Sequence, residues 1–217
     1  MRILITGGDG FIGRHLTAAL LERGDSIYVI DNHITSSPSI EHSRLTRTEA
    51  DVCDLHHVVP NWEADVIVHL ASVAIPKLYM DSPQTVISPN VFGTMRVCEY
   101  AERCGARVIF TSTSEVYGSL LDEEPIGTPL SESDPSLSEM LTPRSPYSTS
   151  KKMGEEIVSD YIRQGLSGCS VRLFNVIGPQ MDSEISGYGR VVPNFIEALN
   201  ESRPLPIYGD GNQTRSF

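Results

Sequence analysis

Tyr147 and Lys151 stand four residues apart in "YSTSK", a spacing that puts both side chains on one face of a helix. A phenol beside an ammonium is a candidate base, but a free tyrosine ionises near ~10 and needs help at neutral pH. Tyr-x-x-x-Lys also arises by chance on helix surfaces, so the pair needs a third group. The stretch "TSTSEVYG" (111–118) offers one, because it follows the apolar run "RVIF" and ends a buried strand in hydroxyls and a carboxylate. Thr113, at the carboxyl end of that strand, can hydrogen-bond a substrate oxygen that Tyr147 deprotonates. Glu115 places a carboxylate beside it. For Glu115 the simpler alternative is a solvated carboxylate that faces away.

A second constellation lies in "GGDGFIG", where Gly7, Gly10 and Gly13 form GxxGxxG between a strand and a helix. Glycines there permit a tight turn and close approach of backbone to a pyrophosphate, which the helix N-terminus attracts. Asp31 follows Gly13 by 18 residues, at the end of the second strand. Its carboxylate is placed to accept from an adenosine ribose 2′-OH and to repel a 2′-phosphate, and Asn32 and His33 bring no arginine to rescue one. NAD is expected over NADP. The positive nicotinamide ring of NAD+, with Lys151, would favour the Tyr147 phenolate. Asp51 in "ADVCD" falls where a third strand should end and can contact adenine; taken alone, an exposed loop aspartate is the plainer reading. His69 ends an apolar strand and reads as a satisfied core histidine.

The elements that must position these groups alternate along the chain. "RILIT" leads through glycines to "FIGRHLTAALLERG", where Phe11, Ile12, Leu16, Ala19 and Leu20 recur at helical spacing and Gly24 supplies a stop. "SIYVID", a weaker strand near "TEADV", "DVIVHLAS", a helical pattern over about 84–104 and "RVIFTS" follow. A polar, Pro-rich loop (119–146), a helix over about 147–164 and "CSVRLFN" complete the series. Several strands are apolar on both faces, which predicts an α/β fold with a doubly wound parallel sheet, the Rossmann arrangement, over 1–175. Residues 176–217 carry a helix at "RVVPNFIEALNE" and a short strand and turn at "PLPIYGDGNQTRSF". No module is complete there, and it reads as the start of a smaller C-terminal substrate lobe, so the chain reads as a fragment.

At 217 residues, 40% hydrophobic and 21% charged, the composition is that of a soluble globular protein. A net charge of −11 argues against a nucleic-acid face but leaves room for a small phosphate-bearing ligand. No apolar run approaches the ~20 residues of a membrane span, and "MRILITGG" is a strand entering a turn rather than a signal peptide. Cys53, Cys98, Cys104 and Cys169 lack any zinc-type spacing, so no metal is expected; they suit reduced, mostly buried thiols in a cytoplasm.

Taken in order, Gly7/Gly10/Gly13, Asp31, "HLAS", "TSTSEVYG", "YSTSK" and "RLFNVIGP" resemble the extended short-chain dehydrogenase/reductase family of nucleotide-sugar epimerases, dehydratases and decarboxylases. The resemblance spans essentially the whole chain. It implies that Thr113, Tyr147 and Lys151 form the catalytic set. It implies that Phe11, Ile12, Asn32, Asp51, Val52, Leu70, Ala71 and Ser72 join the glycines and Asp31 around NAD. It assigns Lys77, Tyr79, Ser114, Asn175, Arg190, Val192 and Arg215 to the substrate, Asn175, Arg190 and Arg215 holding its diphosphate part. A homodimer through the helices near 84–104 and 147–164 is implied as well. Because relatives are longer, these residues alone are expected to lack a closed sugar pocket and activity. The resemblance implies a catalytic role at C5 for Glu115, the carboxylate after Thr113; with "ASVAIPKLYMDSPQTVISPNVFGT" and "GRVVPNF" it leans toward UDP-glucuronate decarboxylases. Thr-Ser-Glu also resembles GDP-mannose dehydratases and occurs in relatives called 4-epimerases, and "YSTSKKMGEE" looks more like epimerases and dehydratases. A UDP-sugar 4-epimerase and then a 4,6-dehydratase are the alternatives. More remote is a non-catalytic NAD-binding protein, which would have no need of Thr113, Tyr147 and Lys151 together.

Overall fold

The computed structural model describes residues 1–59, 61–118, 129–134, 142, 145–181, 191–207 and 209–212. Six strands pair in parallel in the order β3-β2-β1-β4-β5-β6. They are β1 (Arg2–Thr6), β2 (Ser26–Asp31), β3 (Leu45–Glu49), β4 (Val66–His69), β5 (Arg107–Thr113) and β6 (Gly168–Leu173). The helices are α1 (Phe11–Arg23), α2 (Leu55–Val58), α3 (Pro76–Asp81), α4 (Gln84–Ser88), α5 (Thr94–Cys104), α6 (Ser145–Arg163) and α7 (Val191–Asn200). The strand order reverses between β1 and β4, the place where such sheets open a crevice at their carboxyl ends.

Both faces of the sheet are covered because successive strand residues point oppositely. Ile3 and Ile5 of β1 pack with Leu20 and Leu21 of α1, whereas Leu4 joins Val97, Tyr100 and Ala101 of α5 and Val158 of α6. Each such aliphatic side chain contributes about 1.5–3 kcal/mol by leaving water. The helical pattern at 84–104 is one rod in sequence, but a π-helical turn at Pro89–Gly93 separates α4 from α5. Pro89 has no amide hydrogen to continue an α-helical ladder, and the widened turn accommodates it. Gly154 brings α6 down on the sheet, since a Cβ there would lie 2.4 Å from the Phe110 ring. That close seat sets Tyr147 and Lys151 beside the end of β5.

The weak strand expected near "TEADV" is β3, whose last residues Thr48 and Glu49 open that stretch; as an edge strand with no fully buried residue it carries little hydrophobic signal. Two expectations need correction. No strand forms at 204–207 among the described residues. Pro204 and Pro206 cannot donate to a ladder, which accounts for its absence. The thiols are not uniformly buried: Cys98 is buried, Cys53 and Cys104 are half-buried, and Cys169 on the edge strand β6 is exposed. Among the described residues, no helix is long and apolar enough to cross a membrane and no His/Cys/Asp/Glu cluster is arranged to hold a metal.

Candidate active site

The carboxyl ends of β1, β2, β4 and β5 converge on one edge of the sheet, and the motif residues sit there. After β1 the chain turns at Gly7, whose φ of +72° suits glycine and whose N–H donates to the Ile30 carbonyl at 2.7 Å. A Cβ at Gly7 would lie 2.7 Å from the Ala71 nitrogen, and one at Gly13 would lie 2.3 Å from the Gly7 carbonyl oxygen. The turn is thus wedged between β4 and α1. Gly10 caps α1 with no side-chain hydrogen bond, leaving the positive helix end without a side-chain acceptor of its own. Ser72, just past β4, has a buried hydroxyl with no hydrogen-bond partner among the described residues. A glycine cradle, an uncapped helix start and an orphan hydroxyl together fit a dinucleotide.

At the end of β2, Asp31 is almost fully buried and heavily engaged. Oδ2 accepts from the Asp9 N–H at 3.0 Å, and Oδ1 accepts from the His33 N–H at 2.9 Å and the Ser36 hydroxyl at 2.8 Å. A carboxylate offers about four lone-pair sites, so one remains for a ribose hydroxyl. Asn32 donates to Asp51 at 3.3 Å, and Asp51 also caps the short 3-10 turn that follows by accepting from Cys53 N–H at 2.8 Å. The structure therefore brings Asp31, Asn32 and Asp51 together beyond β2 and β3. Val52 turns its side chain into the core, where it would meet a Cβ at Gly93. Leu70 and Ala71 are held to β1, donating to the Thr6 carbonyl at 2.9 Å and the Thr6 hydroxyl at 3.3 Å. His69 is the buried, satisfied histidine expected, bonded to Thr6 at 2.7 Å and Thr94 at 3.1 Å. Burial, helped by the Lys151 charge, lowers its pKa to about 3, so the ring is neutral.

The second half of the site stands at the end of β5. Thr113 is buried, accepts from Glu115 N–H at 3.3 Å and hydrogen-bonds the Tyr147 side chain. Tyr147, in the first turn of α6, stacks on Tyr79 of α3 with ring centroids 5.7 Å apart and planes 13° apart. Glu115 is exposed but close enough for its charge to act on the phenol. Thr113, Glu115, Tyr147 and Tyr79 thus form one group, with Ser114 between the first two in sequence. Behind Tyr147, Asn90 of the π turn donates to Ser150 at 2.9 Å, and Ser150 donates to the Tyr147 carbonyl at 3.0 Å.

The protein's own groups push the Tyr147 phenol upward. Burial, then the Glu115 charge, raises the Tyr147 phenol above its ordinary value, with the Thr113 hydrogen bond pulling the other way. Lys151 is buried over the Phe110 ring and donates to the Thr111 carbonyl at 2.7 Å; burial lowers its pKa to about 7. An amine so desolvated carries its positive charge only in part at neutral pH. The residues of this chain by themselves favour the neutral phenol.

Some assigned residues are elsewhere. Lys77 pairs with Asp81 at 3.0 Å on the exposed side of α3. Asn175 is exposed beyond β6. Val192 lines a hollow of about 470 Å³ between 177–181 and α7, apart from Thr113 and Tyr147. Arg190 and Arg215 lie outside the described residues. Sequence reasoning missed Asp9 and Arg47: Arg47 of β3 grips Asp9 in the glycine turn at 2.8 Å. A carboxylate inside a glycine turn was a readable signal, but its partner lies 38 residues away.

The sheet, its switch point and the glycine turn define a Rossmann-type protein. Residues 3–217 match the NAD dependent epimerase/dehydratase family, and the chain belongs to that family, whose cofactor is NAD. UDP-glucuronic acid decarboxylase 1 of Arabidopsis thaliana is 38% identical over 228 residues, covering 100% of this chain and 48% of that protein. UDP-glucuronic acid decarboxylase 1 of Xenopus tropicalis is 37% identical over 222 residues, covering 100% and 50%. The chain thus spans about half the length of these relatives. Among solved structures, the UDP-glucose 4-epimerase of Thermotoga maritima with UDP-glucose superposes with a TM-score of 0.87 at 28% identity, covering 99% of this chain and 68% of that one. The UDP-glucose 4-epimerase of Thermus thermophilus, solved with NAD, gives 0.80 at 30% identity, covering 94% and 64%.

Proposed function

We propose that this protein modifies a UDP-linked sugar through a 4-keto intermediate, and that its reaction is decarboxylation of UDP-glucuronate. The observation that carries the reading is the placing of Glu115 beside the Thr113–Tyr147 pair. A 4-epimerase that only rotates a ketone needs no carboxylate there; a reaction at C5 does. Bound NAD supplies the acceptor and later the donor of the C4 hydride. Tyr147 takes the 4-hydroxyl proton while Thr113 holds the oxygen. The β-keto acid then loses carbon dioxide, its C5–C6 electrons forming an enolate whose oxygen faces Thr113 and the protonated Tyr147. Glu115 and Ser114 serve the C5 side, where a proton must return. Lys151 orients the cofactor end of α6.

The superposition on UDP-glucose 4-epimerases favours epimerisation as the second reading. Full-length protein given NAD and UDP-glucuronate should release carbon dioxide and a UDP-pentose. A galacto-configured acid without gas would make it an epimerase, and a 4-keto-6-deoxy sugar from a neutral hexose would make it a dehydratase.

On this reading residues 1–175 are the NAD-binding and catalytic domain, and 176–217 begin the sugar-nucleotide lobe, with Asn175, Val192, Arg190 and Arg215 assigned to the substrate. Four unpaired cysteines suit a reducing compartment, the cytoplasm. The protein pairs with a second copy through α4–α5 and α6, where Ile87, Phe92, Met95 and Met153 are exposed apolar residues. Phe92 is 57% exposed, so Phe92→Lys should turn a sedimenting dimer into a monomer with the fold intact. A dimer untouched by that change would remove this interface.

A further inference from the structure

The glycine turn holds a carboxylate that binding a pyrophosphate does not need. Asp9 is 3% exposed and sits between Gly8 and Gly10, a position where added negative charge opposes a bound phosphate. Its carboxylate is matched by two donors. Arg47 Nε lies 2.8 Å from Oδ2 and 3.1 Å from Oδ1, and His33 Nε2 lies 3.0 Å from Oδ2. Burial works against a charged His33 ring, but the hydrogen bond to Asp9 and the charges of Asp31, Asp9 and Glu49 outweigh it and hold His33 above its ordinary value. Glu49 stands 3.6 Å from the other ring nitrogen.

These contacts join Asp9 to the ribose acid. The Asp9 N–H donates to Asp31 at 3.0 Å, and the His33 N–H donates to the other Asp31 oxygen at 2.9 Å. His33 therefore bridges the two carboxylates, one through its backbone and one through its ring, in a left-handed conformation with φ of 54°. Arg47 completes the arrangement by donating from Nη2 to the Ile40 carbonyl at 3.0 Å, which ties down the segment after β2. The arginine that sequence reading did not find beside Asp31 is thus present nearby, but its guanidinium is already committed.

We infer that Asp9 is a second specificity-determining acid of the dinucleotide cleft, which rejects a 2′-phosphate both by its own charge and by sequestering Arg47. The inference rests on the assignment of NAD to the cleft over Gly7–Gly13. Two carboxylates joined through His33 then stand beyond the end of β2, and the nearby guanidinium, the fork that best recognises phosphate, is turned to one of them.

The test is direct titration of full-length protein with NAD and with NADP, by calorimetry, giving the ratio of their dissociation constants. Asp9→Asn keeps the size and an acceptor for Arg47 while removing the charge. It should lower the NADP/NAD ratio by about tenfold or more, the effect of lifting one like charge at close range in a partly screened site. Adding Arg47→Met should return much of that gain. A ratio unchanged in Asp9→Asn overturns the inference, as does a double variant that gains as much as the single. Should the single variant not fold, the double removes both buried charges together and must still lower the ratio below that of the wild type. Asp31→Ala separates the two levels. If it weakens NAD while Asp9→Asn moves nothing, only the inference falls; if NAD binding ignores Asp31→Ala, the cleft assignment falls with it.

Discussion

Tyr147→Phe should lower turnover of the nucleotide sugar by about 10²–10⁴-fold, the usual worth of a positioned acid–base group, and leave NAD affinity within about twofold. The variant deletes one oxygen. The ring keeps its stack on Tyr79 at 5.7 Å, and Lys151 keeps its bond to the Thr111 carbonyl, so neither α6 nor the cofactor cleft has reason to move. Thr113 loses a side-chain partner but still accepts from the Glu115 N–H. Stability should fall by only about 1 kcal/mol, the net value of one hydrogen bond. The same substitution would be nearly silent if the phenol served packing alone. Turnover and NAD titrations on the same preparation decide it. Retained turnover, or equal loss of both properties, would show that the tyrosine is structural.

The direction of the Tyr147 shift sharpens this expectation. Burial and Glu115 hold the phenol neutral, so the chain presents a proton donor until positive charge arrives beside it. Such a group suits both ends of the cycle. It is reluctant as a base on its own, which protects the site from idle deprotonation. It is also well protonated when an enolate or ketone oxygen needs a donor. Lys151 contributes less to this balance than its place in "YSTSK" implied, because a fully buried amine with a pKa of about 7 is only partly charged at neutral pH.

Strand and helix order was readable because β1, β2, β4 and β5 are short apolar runs and α1 and α6 carry clear helical spacing. The carboxyl ends of parallel strands all point one way, so Gly7, Asp31, Leu70–Ser72 and Thr113 had to gather on one edge once the sheet was inferred. Other features were not legible because they depend on partners far apart in sequence. The π turn at Pro89–Gly93 keeps the same apolar rhythm as the helices it joins. The Asp9–Arg47 pair needs β2 and β3 in register, with Val29 opposite Arg47, before the two groups can be seen to meet. The edge strands β3 and β6 are only partly covered and lack the two-faced apolar signature, yet both fall at the stretches near "TEADV" and "CSVRLFN" that read as strands. The upward push of burial on Tyr147 was not legible because spacing reports which residues share a helix face, whereas burial depends on the packing around them.

Gly13→Ala is the change expected to damage the cofactor site most. The added Cβ would lie 2.3 Å from the Gly7 carbonyl oxygen and 2.6 Å from the Gly8 Cα, and both are backbone atoms with no rotamer to yield. The first turn of α1 must retreat by roughly 1 Å, a misplacement that can cost about 10²-fold at a site built on alignment. Those N–H groups are the ones aimed at a pyrophosphate, so NAD should weaken by about 10- to 100-fold, alongside an overpacking loss of about 1–3 kcal/mol in stability. Gly24→Ala is the matched comparison. Its Cβ would meet nothing within 4 Å, but its φ of +98° strains any other residue. That backbone strain costs about 1–2 kcal/mol, at the far end of α1 from the turn. The two variants should therefore lose similar stability in thermal melts and differ in NAD titrations alone. Equal NAD affinity in both would mean that the dinucleotide does not lie over this turn, whatever the glycines contribute to packing.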